Sequence, residues 1–389
     1  MIEIGVPIRT ARARASLRRM STSRVCAPWV MVTVAYRVCP ASALITGKFV
    51  AKGLAYDVTS CFILKAKKAH QDETSGSIER TLSMTSEQQE RLQAIVKNYR
   101  PIEELIPAYW SEGDVFANGI RHHYYRTGGE KPALLLLHGF NEYGPTWLRT
   151  ARELERDYDV IMVDARGHGR SDGIASGFSS TLLVEDAAGV IRSLKLDRPR
   201  IIGLSQGGST VLRLAATYPE LVHSFIFEGW GEESQSGDFA NSEGYIAWFN
   251  TWLAWLEQLR TMSHEERMTF ALPQLVPTMG GSLWPEDEYV PVVEAYALFD
   301  LDLARYSIKL WNSADKDNPA ELLQQVTCPA LIMKHAWSFP APGTEPVVRE
   351  VASRQPNIRM VYFENTGHLI RRVAFEQYMT LVREFLRAH

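Results

Sequence analysis

Along this chain, apolar runs of strand length alternate with stretches of helical spacing. Residues 133–137 form a continuous apolar run, the pattern of a strand covered on both faces. Helical spacing follows over 147–154, an apolar strand pattern over 159–163, and a helical period over 181–194. The same order repeats at 200–204 and 209–218, and a further strand pattern covers 224–227. Ahead of these, Asn118-Gly119 between 114–117 and 121–126 predicts a hairpin. Near the end the rhythm returns: helix over 318–325, strand over 330–333, helix over 345–354, strand over 358–363, helix over 371–388. Such alternation predicts an α/β fold, with a mostly parallel central sheet and helices on both faces.

The rhythm breaks between Trp230 and about Arg305, where no strand-like run occurs. Trp248, Trp252, Trp255 and Trp284 fall here, with Tyr245, Phe249, Tyr289 and Tyr296, and 245–259 has a helical pattern. The expected organisation is a core over 84–229, a helical insertion over 230–305 covering one end of the sheet, and the rest of the core over 306–389. The large aromatics serve first to pack the insertion on the sheet. They also suit an apolar pocket, for which Trp230, Trp248, Trp252, His335 and Trp337 are the candidate lining residues.

Residues 1–83 differ in character. Arg9, Arg12, Arg14, Arg18, Arg19 and Arg24 crowd the start, and after Glu3 no acid occurs until Asp57. The apolar run over 25–36 is shorter than the roughly 20 residues a membrane-spanning helix needs. Basic residues before a short apolar run resemble a targeting segment, but no clear cleavage site follows. Met84-Thr85-Ser86-Glu87 reads as a natural start, with Ser86 able to cap a helix over 87–99. Residues 1–83 are therefore expected to be a poorly ordered extension without a role in the site.

Composition narrows the classes. Hydrophobic residues make up 46% of the chain and charged residues 22%, ordinary values for a globular enzyme. A net charge of −3 gives no reason to expect nucleic-acid binding. The four cysteines, Cys26, Cys39, Cys61 and Cys328, form neither a disulfide framework nor a metal-binding pattern. The expectations are a cytoplasmic protein with no stable membrane insertion, no cofactor, no metal and a small-molecule substrate; a homodimer is left open.

The chemistry concentrates at Gly203-Leu204-Ser205-Gln206-Gly207-Gly208, between a strand pattern and a helix pattern. A serine on a sharp strand-to-helix turn has its hydroxyl pushed outward, and the residues two positions away must be small because strand and helix pass close together. Ser205 is the candidate nucleophile, and the Gln206 N–H points toward where an oxyanion would form. A serine hydroxyl needs a base, and the base needs an orienting group. His368, in Glu364-Asn365-Thr366-Gly367-His368 after the last strand, fits best. His138 and His168 lie in glycine-flanked turns that suit structural hydrogen bonding. His335 follows a strand, which suits a pocket residue.

With His138-Gly139-Phe140, the run from Asp164 to Ser171, the Ser205 turn and Gly367-His368 in this order, the chain resembles the α/β-hydrolase-fold enzymes from about Met84 onward. The resemblance implies Ser205 as nucleophile, His368 as base and an oxyanion hole from the N–H groups of Phe140 and Gln206. It also implies that the insertion is a cap shaping the substrate pocket, and that the Asp164 turn is mainly structural. In most of that family an Asp follows the seventh strand, but here the segment reads Lys334-His335-Ala336-Trp337-Ser338-Phe339-Pro340. A subset places the acid after the sixth strand, where Glu228 stands, so Glu228 is the expected acid, ahead of Glu345, Glu232 and Glu233. A glutamate closing a buried strand is costly unless paired. The expected function is a serine hydrolase acting on a carboxylic ester or lactone of a small, largely apolar substrate. The alternatives are a cofactor-independent oxygenase or perhydrolase, or a ligand receptor on the same fold. The Asp-nucleophile branch of epoxide hydrolases and dehalogenases is disfavoured by Ser at position 205.

Overall fold

The structure is a computed structural model that describes residues 47–51, 54–58, 64–68, 86–230, 243–275, 284–311, 319–335, 350–363, 366 and 368–389. Three short strands, β1 (Gly47–Ala51), β2 (Leu54–Val58) and β3 (Leu64–Lys68), pair antiparallel in a sheet of their own.

The main sheet has eight strands: β4 (Ser111–Ala117), β5 (Ile120–Arg126), β6 (Ala133–Leu137), β7 (Asp159–Val163), β8 (Arg200–Leu204), β9 (Ser224–Trp230), β10 (Ala330–His335) and β11 (Ile358–Phe363). Their spatial order is β11-β10-β9-β8-β6-β7-β5-β4. Only β5 pairs antiparallel with its neighbours; the other pairings are parallel. The β4–β5 hairpin turns on Asn118 and Gly119, both at positive φ (48° and 78°), which is why Asn-Gly stands there.

The helices are α1 (Ser86–Asn98), α2 (Ile102–Leu105), α3 (Leu148–Leu154), α4 (Ser180–Ser193), α5 (Gln206–Thr217), α6 (Glu243–Thr261), α7 (His264–Leu275), α8 (Glu286–Leu298), α9 (Leu301–Trp311), α10 (Pro319–Gln325), α11 (Ile370–Val373) and α12 (Phe375–Ala388). Both faces of the sheet are buried, so its central strands read as unbroken apolar runs rather than alternating ones. Leu134 and Leu136 face one core, shared with α12 and the insertion helices, while Leu135 and Ile201 face the other, under α4 and α5. Leu134, Leu135 and Leu136 are each 0% exposed, and full burial of such a side chain stabilises by about 1.5–3 kcal/mol.

Three elements depart from the sequence pattern in ways that matter for the site. β9 continues past Phe227 through Glu228 to Trp230. Opposite it, Met333 pairs with Glu228 but Lys334 pairs with Trp230, so Gly229, at φ 71°, is an extra residue in a bulge. β10 extends to His335, which is therefore its last residue and not a loop residue. The final helix is broken: α11 stops at Val373 and α12 begins at Phe375, with Ala374 non-helical between them (φ −128°, ψ 53°).

Candidate active site

Ser205 sits between β8 and α5 with φ 52° and ψ −110°, a conformation that costs of order 1–3 kcal/mol for a residue with a side chain. Its N–H donates to the Glu228 carbonyl (2.9 Å), and its own carbonyl accepts from the Ser209 N–H (2.8 Å). The flanking glycines make this turn sterically feasible. A Cβ on Gly203 would stand 2.4 Å from Gly207 backbone, and one on Gly207 would stand 2.1 Å from the Leu137 carbonyl oxygen. Gly208 is under the same constraint: a Cβ there would fall 2.0 Å from the Phe227 ring.

The loop after β6 rests against this turn. A Cβ on Gly139 would contact Leu204, the residue before the serine, at 3.3 Å. His138 Nε2 accepts from the Ala165 N–H (2.9 Å), which leaves its proton on Nδ1, donating to the Gly139 carbonyl (2.8 Å). The Glu142 N–H donates to the same oxygen (3.1 Å). In a trans peptide the N–H points opposite to the C=O, so these two bonds set the direction of the Phe140 N–H. The Gln206 N–H is the first of α5, where no carbonyl of the preceding turn can accept it. His168 is buried with Nδ1 against the Arg166 carbonyl and Nε2 against that of Phe140. Both His138 and His168 are thus held by backbone groups, and burial pushes the pKa of each down, that of His138 to about 3.

His368 reaches the same edge. A Cβ on Gly229 would lie 3.4 Å from its Cε1 and 3.2 Å from Leu204 Cδ1, so the imidazole stands beside the end of β9 and the residue preceding Ser205. Burial, opposed by Glu142 and then assisted by Arg371 and Arg372, brings its pKa to about 4. A ring that stays neutral at pH 7 is available to accept a proton.

Glu228, the acid expected to orient His368, lies in β9. It is 0% exposed and hydrogen bonded to Arg371, accepting from the backbone N–H at 2.8 Å and from the guanidinium at 3.4 Å. The reason is electrostatic: a fully buried carboxylate next to a fully buried guanidinium is held by it. Burial nevertheless raises the carboxyl pKa against the opposing charge of Arg371. Glu228 thereby anchors Arg371, three positions after His368.

Several residues at the site escape a reading of the sequence. Arg371 also bridges to Glu142 (3.2 Å), and Arg372 bridges to Glu142 (2.7 Å) and to Glu288 of α8 (2.8 Å). This buried network ties the loop after β6, the end of β9, the His368 loop and the insertion together. The only signal for it in the sequence is Arg371-Arg372 inside an otherwise apolar helix start. Phe299 is the second omission. Its ring lies 5.1 Å from Phe140, 5.0 Å from His168 and 5.8 Å from Trp252 of α6. Trp252, one of the expected pocket residues, is therefore buried in an aromatic stack that ends at Phe140. His335, also expected in the pocket, lies edge-on to His368, with ring centroids 5.3 Å apart. The side chains of Trp230 and Trp248, and all of Trp337, Glu232, Glu233 and Glu345, lie outside the described residues.

Among the described residues, no group of three or more His, Cys, Asp or Glu could hold a metal ion, and no helix is long and apolar enough to cross a membrane. A hollow of about 480 Å³ lined by Arg198, His223, Cys328 and Arg387 lies at the opposite ends of the strands from Ser205.

Residues 132–370 match the family described as alpha/beta hydrolase fold. The chain is 37% identical over 112 residues to epoxide hydrolase 4 of Mus musculus, covering 28% of this chain and 31% of that protein. It is 35% identical over 117 residues to a 2-hydroxy-6-oxononadienedioate/2-hydroxy-6-oxononatrienedioate hydrolase of Paraburkholderia phymatum, covering 29% and 41%. The matches to these curated relatives thus span well under half of their length. Among solved structures, the enol-lactonase of Burkholderia xenovorans aligns with a TM-score of 0.51 at 20% identity, over 71% of this chain and 100% of that one. The carboxylesterase CesB of Bacillus subtilis aligns with a TM-score of 0.54 at 18% identity, over 78% and 99%. At such identities the likeness is one of fold.

Proposed function

The chain belongs to the alpha/beta hydrolase fold family, and from that premise we propose that it is a serine hydrolase cleaving a carboxylic ester or lactone of a small, largely apolar substrate. The observation that carries this reading is Ser205 on its strained turn, beside a loop that presents the His368 imidazole at the same edge of the sheet. In the proposed reaction, Ser205 Oγ bonds to the substrate carbonyl carbon while its proton passes to His368 Nε2. The N–H groups of Phe140 and Gln206 hold the oxyanion. Collapse breaks the carbonyl–alkoxide bond, and the imidazolium returns the proton to the leaving oxygen. Water, losing a proton to His368, then adds to the acyl carbon, and the Oγ–acyl bond breaks as the imidazolium returns that proton to Ser205 Oγ, freeing the acid. The likeness to an enol-lactonase and a carboxylesterase agrees with this chemistry at the level of fold. Serine at position 205 weighs against the epoxide and dehalogenation chemistry of the Asp-nucleophile branch.

Stopped-flow hydrolysis of p-nitrophenyl butyrate tests the reading. A burst of nitrophenolate close to one equivalent, with an acyl adduct in the intact-protein mass, is expected if deacylation is slower than acylation. Absence of both turnover and adduct, across p-nitrophenyl esters and simple lactones, would contradict it.

A further inference from the structure

On the reading of Ser205 and His368 as nucleophile and base, the group that orients the base is still to be found, since Glu228 is engaged by Arg371. Among the described residues, the hydrogen-bond partner of His368 Nδ1 is His335 Nε2, at 3.4 Å. We propose that His335 is the positioning residue for His368, so that the site works as a Ser–His–His array in place of one completed by a carboxylate.

The fold places His335 where that task belongs. It is the last residue of β10, next to β9 and one strand further from β8, so its side chain leaves the same sheet edge as Ser205. The ring is 6% exposed and stands edge-on to His368, with an interplanar angle of 82°. The tautomers follow from the chemistry. For His368 Nε2 to accept the serine proton, Nδ1 must carry hydrogen and donate, and His335 Nε2 must then accept, with the His335 proton on Nδ1. The 3.4 Å separation is long for such a bond, as is common in unliganded sites, where catalytic contacts tighten with substrate.

The surrounding charges fit a neutral partner. His368 is influenced by Arg371 and Arg372 of α11 and by Glu142 of the loop after β6, while Glu228 of β9 is held by Arg371. His335 is influenced by His368 and by Lys334, its neighbour in β10. Burial first, with these cations, brings His335 to about 4, matching His368, so at neutral pH neither ring is charged and they do not repel. A neutral acceptor orients the base but stabilises the imidazolium less than a carboxylate would. Two consequences follow: the acid limb of the kcat/KM profile lies near pH 4, and a carboxylate installed at position 335 moves it upward.

The test compares His335→Ala, His335→Gln and His335→Asp with the unaltered protein, using a p-nitrophenyl ester. His335→Ala is expected to lower kcat about 10- to 100-fold with little change in KM, and His335→Gln, which keeps an acceptor, to recover part of that loss. His335→Asp is expected to raise the acid limb by at least about one pH unit. A merely structural role for His335 would lower activity without moving the limb. An unmoved limb in folded His335→Asp overturns the proposal. Should that variant fail to fold, ¹⁵N-histidine NMR of the unaltered protein decides: protons on Nδ1 of both His335 and His368 support the proposal, and a proton on His368 Nε2 overturns it. Fluorophosphonate labelling of Ser205 in the unaltered protein separates the two levels. A label on Ser205 with an unmoved limb rejects His335 alone, and no label on Ser205 rejects the nucleophile reading itself.

Discussion

Ser205→Ala is expected to lower kcat by about 10⁴-fold or more while leaving the fold intact. Alanine removes the hydroxyl that would bond to substrate but retains a Cβ, so the backbone strain at φ 52° persists and the unfolding midpoint should scarcely move. Ser205→Gly separates chemistry from strain. It should be equally inactive, yet more stable by about 1 kcal/mol, because glycine relieves the left-handed backbone at some cost in chain entropy. Activity assays and urea unfolding of the three proteins check both halves. Retained turnover in either variant would remove Ser205 from the mechanism.

Arg371→Met is expected to cost about 3–5 kcal/mol of stability, because it leaves Glu228 without its cation inside the protein and deprives Glu142 of one of its two. The methionine side chain can still lie over Trp147, whose ring centre is 4.1 Å from the Arg371 guanidinium carbon, so most of the loss is electrostatic and not one of packing. Pairing the change with Glu228→Gln should restore part of the stability, since the uncompensated charge is then gone. Denaturant unfolding of the single and double variants measures that coupling. Simple additivity would show that the two side chains do not share one network. Because Arg371 lies three residues after His368, the single variant should also lose activity beyond its loss of folded population.

Most of the fold was legible because it rests on local patterns. The apolar runs at 133–137, 159–163 and 200–204 are strands because both their faces are covered, and Asn118-Gly119 is a turn because its backbone demands positive φ. Gly203 and Gly207 were readable as spacers of the serine turn for the same reason: close backbone approach excludes a side chain. The pairing of Glu228 was not readable. Its strand position is local, but its partner is 143 residues away in sequence and is chosen by the burial of Arg371, which no periodicity announces. The bulge at Gly229 and the extension of β10 to His335 were missed likewise, because register between strands is a property of the assembled sheet. Nothing in the sequence singles out Phe299; only its contacts with Phe140 and Trp252 set it at the site.

The most direct measurement is reaction of the protein with a fluorophosphonate, followed by mass spectrometry of its peptides. One adduct, on Ser205 and absent from Ser205→Ala, is the expected result. An adduct on a different residue, or ester turnover by a protein whose Ser205 stays unmodified at full inhibition, would contradict the assignment.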